Sequence, residues 1–332
     1  MAQHAEVSTA TVSRFLTDPS LVREERRKRI EEAIAELGYL PHGAAQALAS
    51  QRSRTIGAIV PTLDNAIFAR GIQAFQQRLQ SAGYTLLIAS SNYSLDEERT
   101  QAETLIARGV DGMMLVGSDH HERLYERLAL MEIPYVNTWV FRPGSEHPCV
   151  GFDNFSAATR QVSYLSDMGH TSFGIIAGIT EDNDRARDRL DGVLHALKQR
   201  GIILGEDRIH ESPYDIAASR DVMKRLLLLS PAPTAVICGN DVIAYGALLE
   251  CRSNGLDVPR DISVVGFDDL PLSQHIRPSL TTVHVPSNEM GSKAADYLLA
   301  RLEGVATQER VELEANLILR DSSAPPKNLI RV

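Results

Sequence analysis

From about residue 55 onward, short apolar segments alternate with amphipathic stretches, and this alternation constrains the fold more than any other feature. The apolar segments are nearly continuous runs of Val, Ile and Leu, which is typical of parallel strands buried on both faces. The stretches between them repeat apolar residues at helical spacing. The predicted strands are 56–60, 85–89, 112–116, 135–137, 173–177, 209–211, 235–238 and 262–266, and the predicted helices include 67–81, 95–107, 154–168, 185–200, 216–229 and 242–253. Two successive sets of strands predict two α/β lobes rather than one very large sheet.

The C-terminal part adds a short strand at 281–284, a helix at 287–302 and a strand at 311–319. We expect this part to thread back and complete the two lobes. Ligands of open α/β sheets bind beyond the carboxyl ends of the strands. A two-lobe arrangement therefore predicts a ligand site in the cleft between the lobes.

The first 41 residues have a different pattern, which begins with a short helix from Ser8 to about Leu16. Ser8 is a good N-cap, and Val12 and Leu16 lie on one face at i, i+4 spacing. A helix that reads bases in the major groove needs small or hydrogen-bonding side chains near its N-terminus and a cation for phosphate. The candidates of this kind are Ser8, Thr9, Ala10, Thr11, Ser13 and Arg14. Taken alone, this segment is better explained as an ordinary short amphipathic helix.

The elements that follow change that interpretation. A second helix is predicted from about Arg23 to Leu37, Gly38 suits the left-handed position after it, and Pro41 prevents its continuation. An Ala-rich segment and a basic run at 50–54 then lead into the first strand. This order of recognition helix, support helix, Gly-Tyr-x-Pro, Ala-rich segment and basic linker resembles the LacI/GalR family of bacterial transcription regulators. The resemblance covers essentially the whole chain.

The resemblance implies a fold of three parts. They are a small all-α helix-turn-helix DNA-binding domain over 1–41, a hinge helix and linker over 42–54, and a two-lobe α/β core like that of periplasmic binding proteins over 55–332. The core is implied to bind an effector and to dimerise, with its chain crossing between lobes near 148–152, near 279–285 and again near the end. Ala45 and Leu48 are the implied DNA contacts of the hinge, Leu48 as a wedge in the minor groove. The alternative for Leu48 is an ordinary apolar residue of a linker helix.

The resemblance also implies a ligand-controlled repressor that binds a near-palindromic double-stranded DNA operator as a homodimer, with a tetramer left open. The implied effector-binding residues are Phe68, Trp139, Arg189, Tyr214, Asn240 and Asp268. Arg189 stands three residues before Gly192 in an Arg-x-Arg-x-x-Gly pattern, and its guanidinium suits hydroxyl pairs or a carboxylate. Asn240 and Asp268 suit polyols or nucleobase N–H groups. The set favours a sugar or a sugar-derived metabolite such as a sugar acid, with a nucleobase or nucleoside as the alternative.

Each effector candidate has a structural alternative. For Arg189 it is a surface ion pair with a neighbouring aspartate. For the pairs Asn240-Asp241 and Asp268-Asp269 it is capping of the next helix or turn, and both readings hold if one residue caps while the other faces the cleft. For the aromatic residues it is an ordinary core or loop position.

The charge of the whole chain does not identify a nucleic-acid-binding protein, but the charge of its N-terminal part is compatible with one. The net charge is −9, but residues 1–54 carry eight Lys/Arg against seven Asp/Glu and the remainder 26 against 36, so only the N-terminal part fits nucleic acid.

No apolar run approaches the roughly 20 residues that span a bilayer. The N-terminus lacks the apolar region of a signal peptide, so we expect a cytoplasmic protein with no membrane partner. The three cysteines have no metal-like spacing, and their odd number predicts reduced packing residues.

No catalytic motif is found in the sequence. It contains no Gly-x-Ser-x-Gly, no Walker-type loop and no Gly-x-Gly-x-x-Gly after the first strand. We therefore expect no catalytic residues, no cofactor and no metal. His120 and His121, which stand between Asp119 and Glu122, are expected in a solvated loop or helix start, because adjacent helical residues face different ways.

The start of the chain departs from the family pattern. Only six residues precede Val7, and Glu6 replaces the glycine that is usual in the turn. We therefore expect the chain as given to begin about eight residues late, inside a first helix that is marginal without its first turns.

Two other functions stay open on the same fold. One is a soluble sugar-binding module, which fold alone does not separate from a regulator. The recognition and hinge segments argue against it, since such a module needs neither. The other is a sugar-modifying enzyme, which the absence of catalytic motifs disfavours.

Overall fold

The computed structural model describes residues 1–17, 19–39 and 52–327. Its N-terminal part contains α1 (Thr9–Thr17) and α2 (Glu24–Leu37) on either side of a 3₁₀ turn at Pro19–Leu21. Ser8 caps α1, since its Oγ accepts a hydrogen bond from Thr11 N at 3.2 Å, and Gly38 ends α2 with φ 56°. The predicted start of α1 at Ser8 and the predicted end of α2 at Gly38 are therefore confirmed. The helices enclose a small core of Ala5, Phe15, Val22, Ile30 and Ala33.

The segment before α1 is a tight turn. Ala5 N–H donates to Met1 O at 2.9 Å. Glu6 has φ 50°, in the left-handed region that glycine favours. This conformation explains why glycine suits the position better than glutamate.

Within residues 52–327 the chain forms two sheets of six strands each. The strands are β1 (Thr55–Val60), β2 (Thr85–Ser90), β3 (Gly112–Val116), β4 (Tyr135–Thr138), β5 (Cys149–Gly151), β6 (Phe173–Gly178), β7 (Ile209–Ser212), β8 (Ala235–Cys238), β9 (Ser263–Asp268), β10 (Thr281–His284), β11 (Arg310–Glu312) and β12 (Asn316–Ile318). The first lobe has the order β11-β5-β4-β3-β1-β2, and its pairings are parallel. The second lobe has the order β12-β10-β9-β8-β6-β7, with β12 antiparallel to β10. The predicted two α/β lobes are confirmed.

The helices of this part pack mainly within their own lobes. They are α3 (Ala66–Ser81), α4 (Leu95–Ala107), α5 (Glu122–Leu130), α6 (Asn154–Asp167), α7 (Asp184–Gln199), α8 (Ile216–Leu227), α9 (Asp241–Ser253) and α10 (Ser287–Leu302). In the first lobe α3 packs against α10, and in the second α6 packs against α7 and α8 against α9. The three cysteines are buried free thiols, as the sequence predicted.

In the described part of the chain, three segments connect the lobes. The first joins β5 to α6, the second joins β10 to α10, and the third joins β11 to β12. The predicted crossing positions are confirmed, but the prediction of one strand over 311–319 was wrong. This stretch is two short strands in different sheets, because the chain changes lobes between Glu312 and Asn316.

Candidate functional site

A cavity lies between the lobes, where the carboxyl ends of strands from both sheets meet. The space in it that no protein atom fills is about 340 Å³, including space open to solvent. All six predicted effector residues line it: Phe68, Trp139, Arg189, Tyr214, Asn240 and Asp268. Phe68 and Trp139 belong to the first lobe and the others to the second. The structure thus brings together residues that are 200 positions apart in the sequence.

Five further lining residues were missed by the sequence reasoning: Asn65, Ile67, Tyr93, Asn183 and Arg185. Asn65 and Tyr93 follow β1 and β2, so the rule that ligands bind beyond strand ends could have found them. Asn183 is the N-cap of α7, with its side chain accepting from Ala186 N. Arg185 gives no such signal, because only the packing of α7 against the first lobe brings it to the cavity.

Arg189 and Asp268 form the charged centre of the cavity. Their side chains are 13% and 3% exposed, and Nη1 lies 3.6 Å from Oδ1. The Arg189 guanidinium also lies 3.8 Å from the centre of the Phe267 ring and donates to Gly239 O at 3.0 Å. The alternative of a surface ion pair with a neighbouring aspartate is therefore wrong for Arg189.

Burial changes the acid–base behaviour of this centre. Desolvation raises the pKa of Asp268 to about 6, although Arg189 and the Asn240 amide both act to lower it. Desolvation likewise lowers the pKa of Arg189 below its ordinary value, against the effect of Asp268. A ligand group that donates to Asp268 would stabilise the carboxylate form, since hydrogen bonds to the charged form favour it.

Asn240 carries out two roles that the sequence had divided between neighbours. Its Oδ1 caps α9 by accepting from Ile243 N at 2.9 Å. Its buried Nδ2 has no hydrogen-bond partner among the described residues, although the amide lies close enough to Asp268 to lower its pKa. The capping and cleft readings therefore both hold, but in the single residue Asn240 rather than in two neighbours, because Asp241 points into the lobe. There it accepts from Leu270 N and from the Ser273 and Thr282 hydroxyls.

Asp269 is not a turn cap as the structural alternative proposed. Its carboxylate lies 2.6 Å from Arg320 Nη2 and 2.9 Å from His284 Nδ1. Asp269 therefore holds the C-terminal segment on β10, outside the cavity.

Aromatic rings form two pairs around the cavity. Phe68 and Trp139 meet edge to face with ring centres 5.3 Å apart, and Tyr93 and Tyr214 are 5.7 Å apart and tilted. Trp139 is almost fully buried, and it is the only tryptophan in the sequence. Rings in this number suit a flat or ring-shaped ligand, because stacking is worth roughly 0.5–1.5 kcal/mol per pair beyond area burial.

Polar contacts hold the lobes together beside the cavity. The N–H and Oγ of Ser118 donate to Asp184 Oδ2 at 2.7 and 2.8 Å, and Arg185 Nη1 donates to Val116 O at 3.1 Å. Two outer ion pairs also join α7 to the first lobe: Arg187–Asp119, to the segment after β3, and Arg142–Asp188, to the loop between β4 and β5. Because Asp184 and Arg185 are themselves buried, these contacts define a closed arrangement of the lobes.

His120 lies behind this contact and is not solvated as expected. Its side chain is fully buried, Nδ1 lies 2.7 Å from Glu98 Oε2, and Nε2 lies 3.1 Å from Gly117 O. Burial alone would lower the pKa of His120, but Glu98 raises it above its ordinary value. The helix start was correct for His121, which precedes α5 and is exposed. The described residues contain no group of His, Cys, Asp or Glu side chains that could hold a metal ion.

The predicted DNA-contacting side chains lie on one open surface of the N-terminal part. Ser8, Thr9, Ala10, Ser13 and Arg14 are exposed, and Thr11 is half-buried. Val12 and Phe15 of the same helix face the small core. Ala45 and Leu48 lie outside the described residues. Across the described ranges, no helix is long and apolar enough to cross a membrane.

Comparison with known proteins gives two family matches. Residues 1–42 match the family of bacterial regulatory proteins of the lacI type, and residues 162–323 match a periplasmic binding protein-like domain. The chain is similar to the HTH-type transcriptional repressor CytR of Escherichia coli strain K12, with 36% identity over 327 residues, 97% of this chain and 95% of that protein.

Solved structures agree with the sequence matches. A LacI-family transcriptional regulator from Silicibacter pomeroyi superposes with a TM-score of 0.89 at 26% identity, covering 97% of both chains. The lac repressor dimer bound to operator and an anti-inducer superposes with a TM-score of 0.86 at 26% identity and the same coverage. The chain therefore belongs to the LacI family and is a DNA-binding transcriptional repressor with an effector-binding core, not an enzyme.

Proposed function

We propose that the repressor is controlled by a nucleoside that binds in the cavity between the lobes. The observation that carries this proposal is the combination of two aromatic pairs with a buried Arg189–Asp268–Asn240 cluster in one cavity. A flat base has a face that stacks on aromatic rings, at about 1–3 kcal/mol per base where such stacking has been measured in nucleic-acid complexes. The aromatic pairs shift our preference from the sugar that the sequence favoured.

The polar cluster complements the other half of such a ligand. Ionised Asp268 accepts hydrogen bonds only, and the buried Nδ2 of Asn240 beside it is a donor. Vicinal hydroxyls of a ribose supply a donor and an acceptor together. A nucleoside therefore uses both the rings and the buried polar groups.

A sugar acid is the second candidate, and the two arginines of the cavity favour it. Arg185 and Arg189 both line the cavity, and a guanidinium binds a carboxylate in a two-bond fork. However, Arg185 already bonds Asp184 and Val116 O. Arg189 already bonds Asn154 and Gly239 O. The donors left for a carboxylate are therefore fewer than the two arginines suggest.

The proposed DNA partner is a near-palindromic operator read by two copies of the exposed face of α1. Bound effector changes operator affinity only through its different affinity for the two lobe arrangements. By linkage, operator must change effector affinity by the same factor. We propose that the protein does this as a homodimer in the cytoplasm.

An apolar groove on the second lobe supports the homodimer. Its lining includes Ile216, Leu249 and Leu272, residues that are 40–51% exposed. Contiguous exposed apolar surface of this kind marks protein interfaces. Sedimentation of Leu272→Asp should give a monomer where the native chain gives a dimer, and a dimeric variant would remove this groove as the interface.

The effector proposal is tested by a thermal-shift screen of nucleosides, nucleobases, sugars and sugar acids on the full chain. A ligand at 100 times its Kd adds about 2.7 kcal/mol of stability. Trp139 fluorescence provides an independent signal, since it is the only tryptophan and lines the cavity. Nucleosides alone should respond. A response confined to sugar acids would replace the proposal by the second candidate.

A further inference from the structure

Asn154 stands at the junction of the first crossing and the cavity without lining the cavity itself. It is the first residue of α6, directly after the segment that leaves β5. The residue is 1% exposed. A polar group buried to this degree needs hydrogen-bond partners.

The partners of Asn154 come from both lobes. Oδ1 accepts from Arg189 Nε of the second lobe at 2.8 Å, and Nδ2 donates to Trp139 O of the first lobe at 3.0 Å. One side-chain amide therefore joins two cavity residues across the lobes. A carboxamide supplies a donor and an acceptor at once, whereas a carboxylate accepts only.

Trp139 is connected to the second crossing as well. The backbone nitrogen of Trp139 lies 3.0 Å from Sδ of Met290, which is in the first turn of α10. The Trp139 ring also packs close to Gly71 of α3, beside the start of α10. A Cβ added to Gly71 would lie 2.4 Å from Cη2 of the Trp139 ring and 3.2 Å from the carbonyl oxygen of Ser287, the first residue of α10. The backbone of Trp139 has φ 59°, a conformation that persists only where its surroundings fix it. Trp139 thus touches the cavity and the starts of both α6 and α10.

We propose that Asn154 is a positioning residue that links the cavity to the angle between the lobes. When its amide joins Trp139 to Arg189, the lobes are held in the closed arrangement and the cavity has its shape. If the bridge is broken, Trp139 O and Arg189 Nε lose their partner in the interior, and opening of the cleft lets water satisfy them. This inference rests on the proposed function of the cavity, but its mechanical part is testable without any effector.

Two variants separate the halves of the bridge. Asn154→Asp keeps an acceptor for Arg189 and loses the donor to Trp139 O, whereas Asn154→Leu loses both. Ser156→Ala is the matched control, since it removes a hydroxyl bonded to Asp153 at the same helix start without touching the cavity. All three should retain the native circular dichroism, and Asn154→Asp alone suffices if Asn154→Leu does not fold.

The readouts are the interlobe distance and the accessibility of Trp139, both measured on the full chain with no added small molecule. Spin labels at Glu126→Cys on α5 and Lys198→Cys on α7 occupy exposed positions, one on each lobe. Leaving a buried donor or acceptor unpaired shifts the closed–open equilibrium by roughly fivefold or more. Both Asn154 variants should therefore populate longer distances and show stronger acrylamide quenching of Trp139, while Ser156→Ala matches the native chain.

Native distances and quenching in Asn154→Asp would overturn the bridge, whatever Asn154→Leu does, because the bond to Trp139 O would then be without effect. An open population in Ser156→Ala equal to that of the Asn154 variants would also overturn it, by assigning the effect to the helix start. Absence of a nucleoside response, by contrast, would refute the proposed effector and leave these distances as predicted.

Discussion

Protonation of Asp268 should weaken effector binding as the pH falls, with a midpoint near pH 6. Desolvation raises the pKa of this carboxyl to about 6, and only the ionised form is an acceptor without a competing proton. With that pKa, about 97% of the carboxyl is ionised at pH 7.5 and about 9% at pH 5.0. An effector that donates to the carboxylate should therefore bind about tenfold more weakly at pH 5.0.

The loss of effector affinity on removal of the Asp268 charge can be predicted independently of the pH dependence. A hydrogen bond to a charged group contributes about 1.5–3 kcal/mol, so Asp268→Asn should lose roughly 10–150-fold in affinity at pH 7.5. Its affinity should then be nearly constant between pH 7.5 and 5.0. Trp139 fluorescence titration with the nucleoside found by the screen measures both, with circular dichroism verifying the fold at each pH.

Asp269→Asn is the matched control, because its carboxylate pairs with Arg320 and His284 outside the cavity. It should keep both the affinity and the pH dependence of the native chain. Asp241, whose pKa burial raises to about 7, lies inside the second lobe and is the main competing titration. A pH dependence that survives in Asp268→Asn, with its midpoint near 7, would exclude Asp268 as the titrating group and assign the effect to Asp241.

Three further changes have separate consequences. Gly117→Ala should weaken the closed arrangement and lower stability to urea by about 2 kcal/mol or more, because Gly117 has φ 99° and a Cβ would be 2.1 Å from Arg185 Nη1; an unchanged urea midpoint would contradict this. Arg14→Ala should weaken operator binding about equally for all sequences and reduce its salt slope by about 1 in fluorescence anisotropy, with effector affinity unchanged, and equal operator affinity would remove Arg14 from the interface. Glu6→Gly should stabilise the N-terminal helices by about 1 kcal/mol in hydrogen exchange, since φ 50° is strained for glutamate; faster exchange would show that side-chain contacts of Glu6 outweigh the strain.

The sequence predicted the lobes and much of the cavity because strand ends are visible in it. Asn240 and Asp268 were assigned from the family resemblance, and their places at the ends of apolar strands agreed with that assignment. Arg189 was found from the family pattern, and its burial against Phe267 could not have been read from the charges around it.

Other features depend on contacts that no local pattern contains. Arg185 reaches the cavity only because α7 packs against the loop after β3. His120 is buried because Glu98, on α4, supplies a partner 22 residues away. The apolar pattern over 311–319 predicts one strand, but the lobe crossing divides it into two. The Asn154 bridge forms only when both lobes are in place, so no local pattern predicts it.

We propose above that a ligand in the interlobe cavity controls DNA binding. The most direct test of this control is fluorescence anisotropy of the full chain on a near-palindromic duplex selected from a random pool, titrated with and without the responding nucleoside. We expect the nucleoside to change operator affinity by about 5–150-fold in the native chain, and we expect Arg189→Ala to bind the duplex normally without responding to the nucleoside. An operator affinity that stays the same while the nucleoside saturates the cavity would show that the cavity does not control DNA binding.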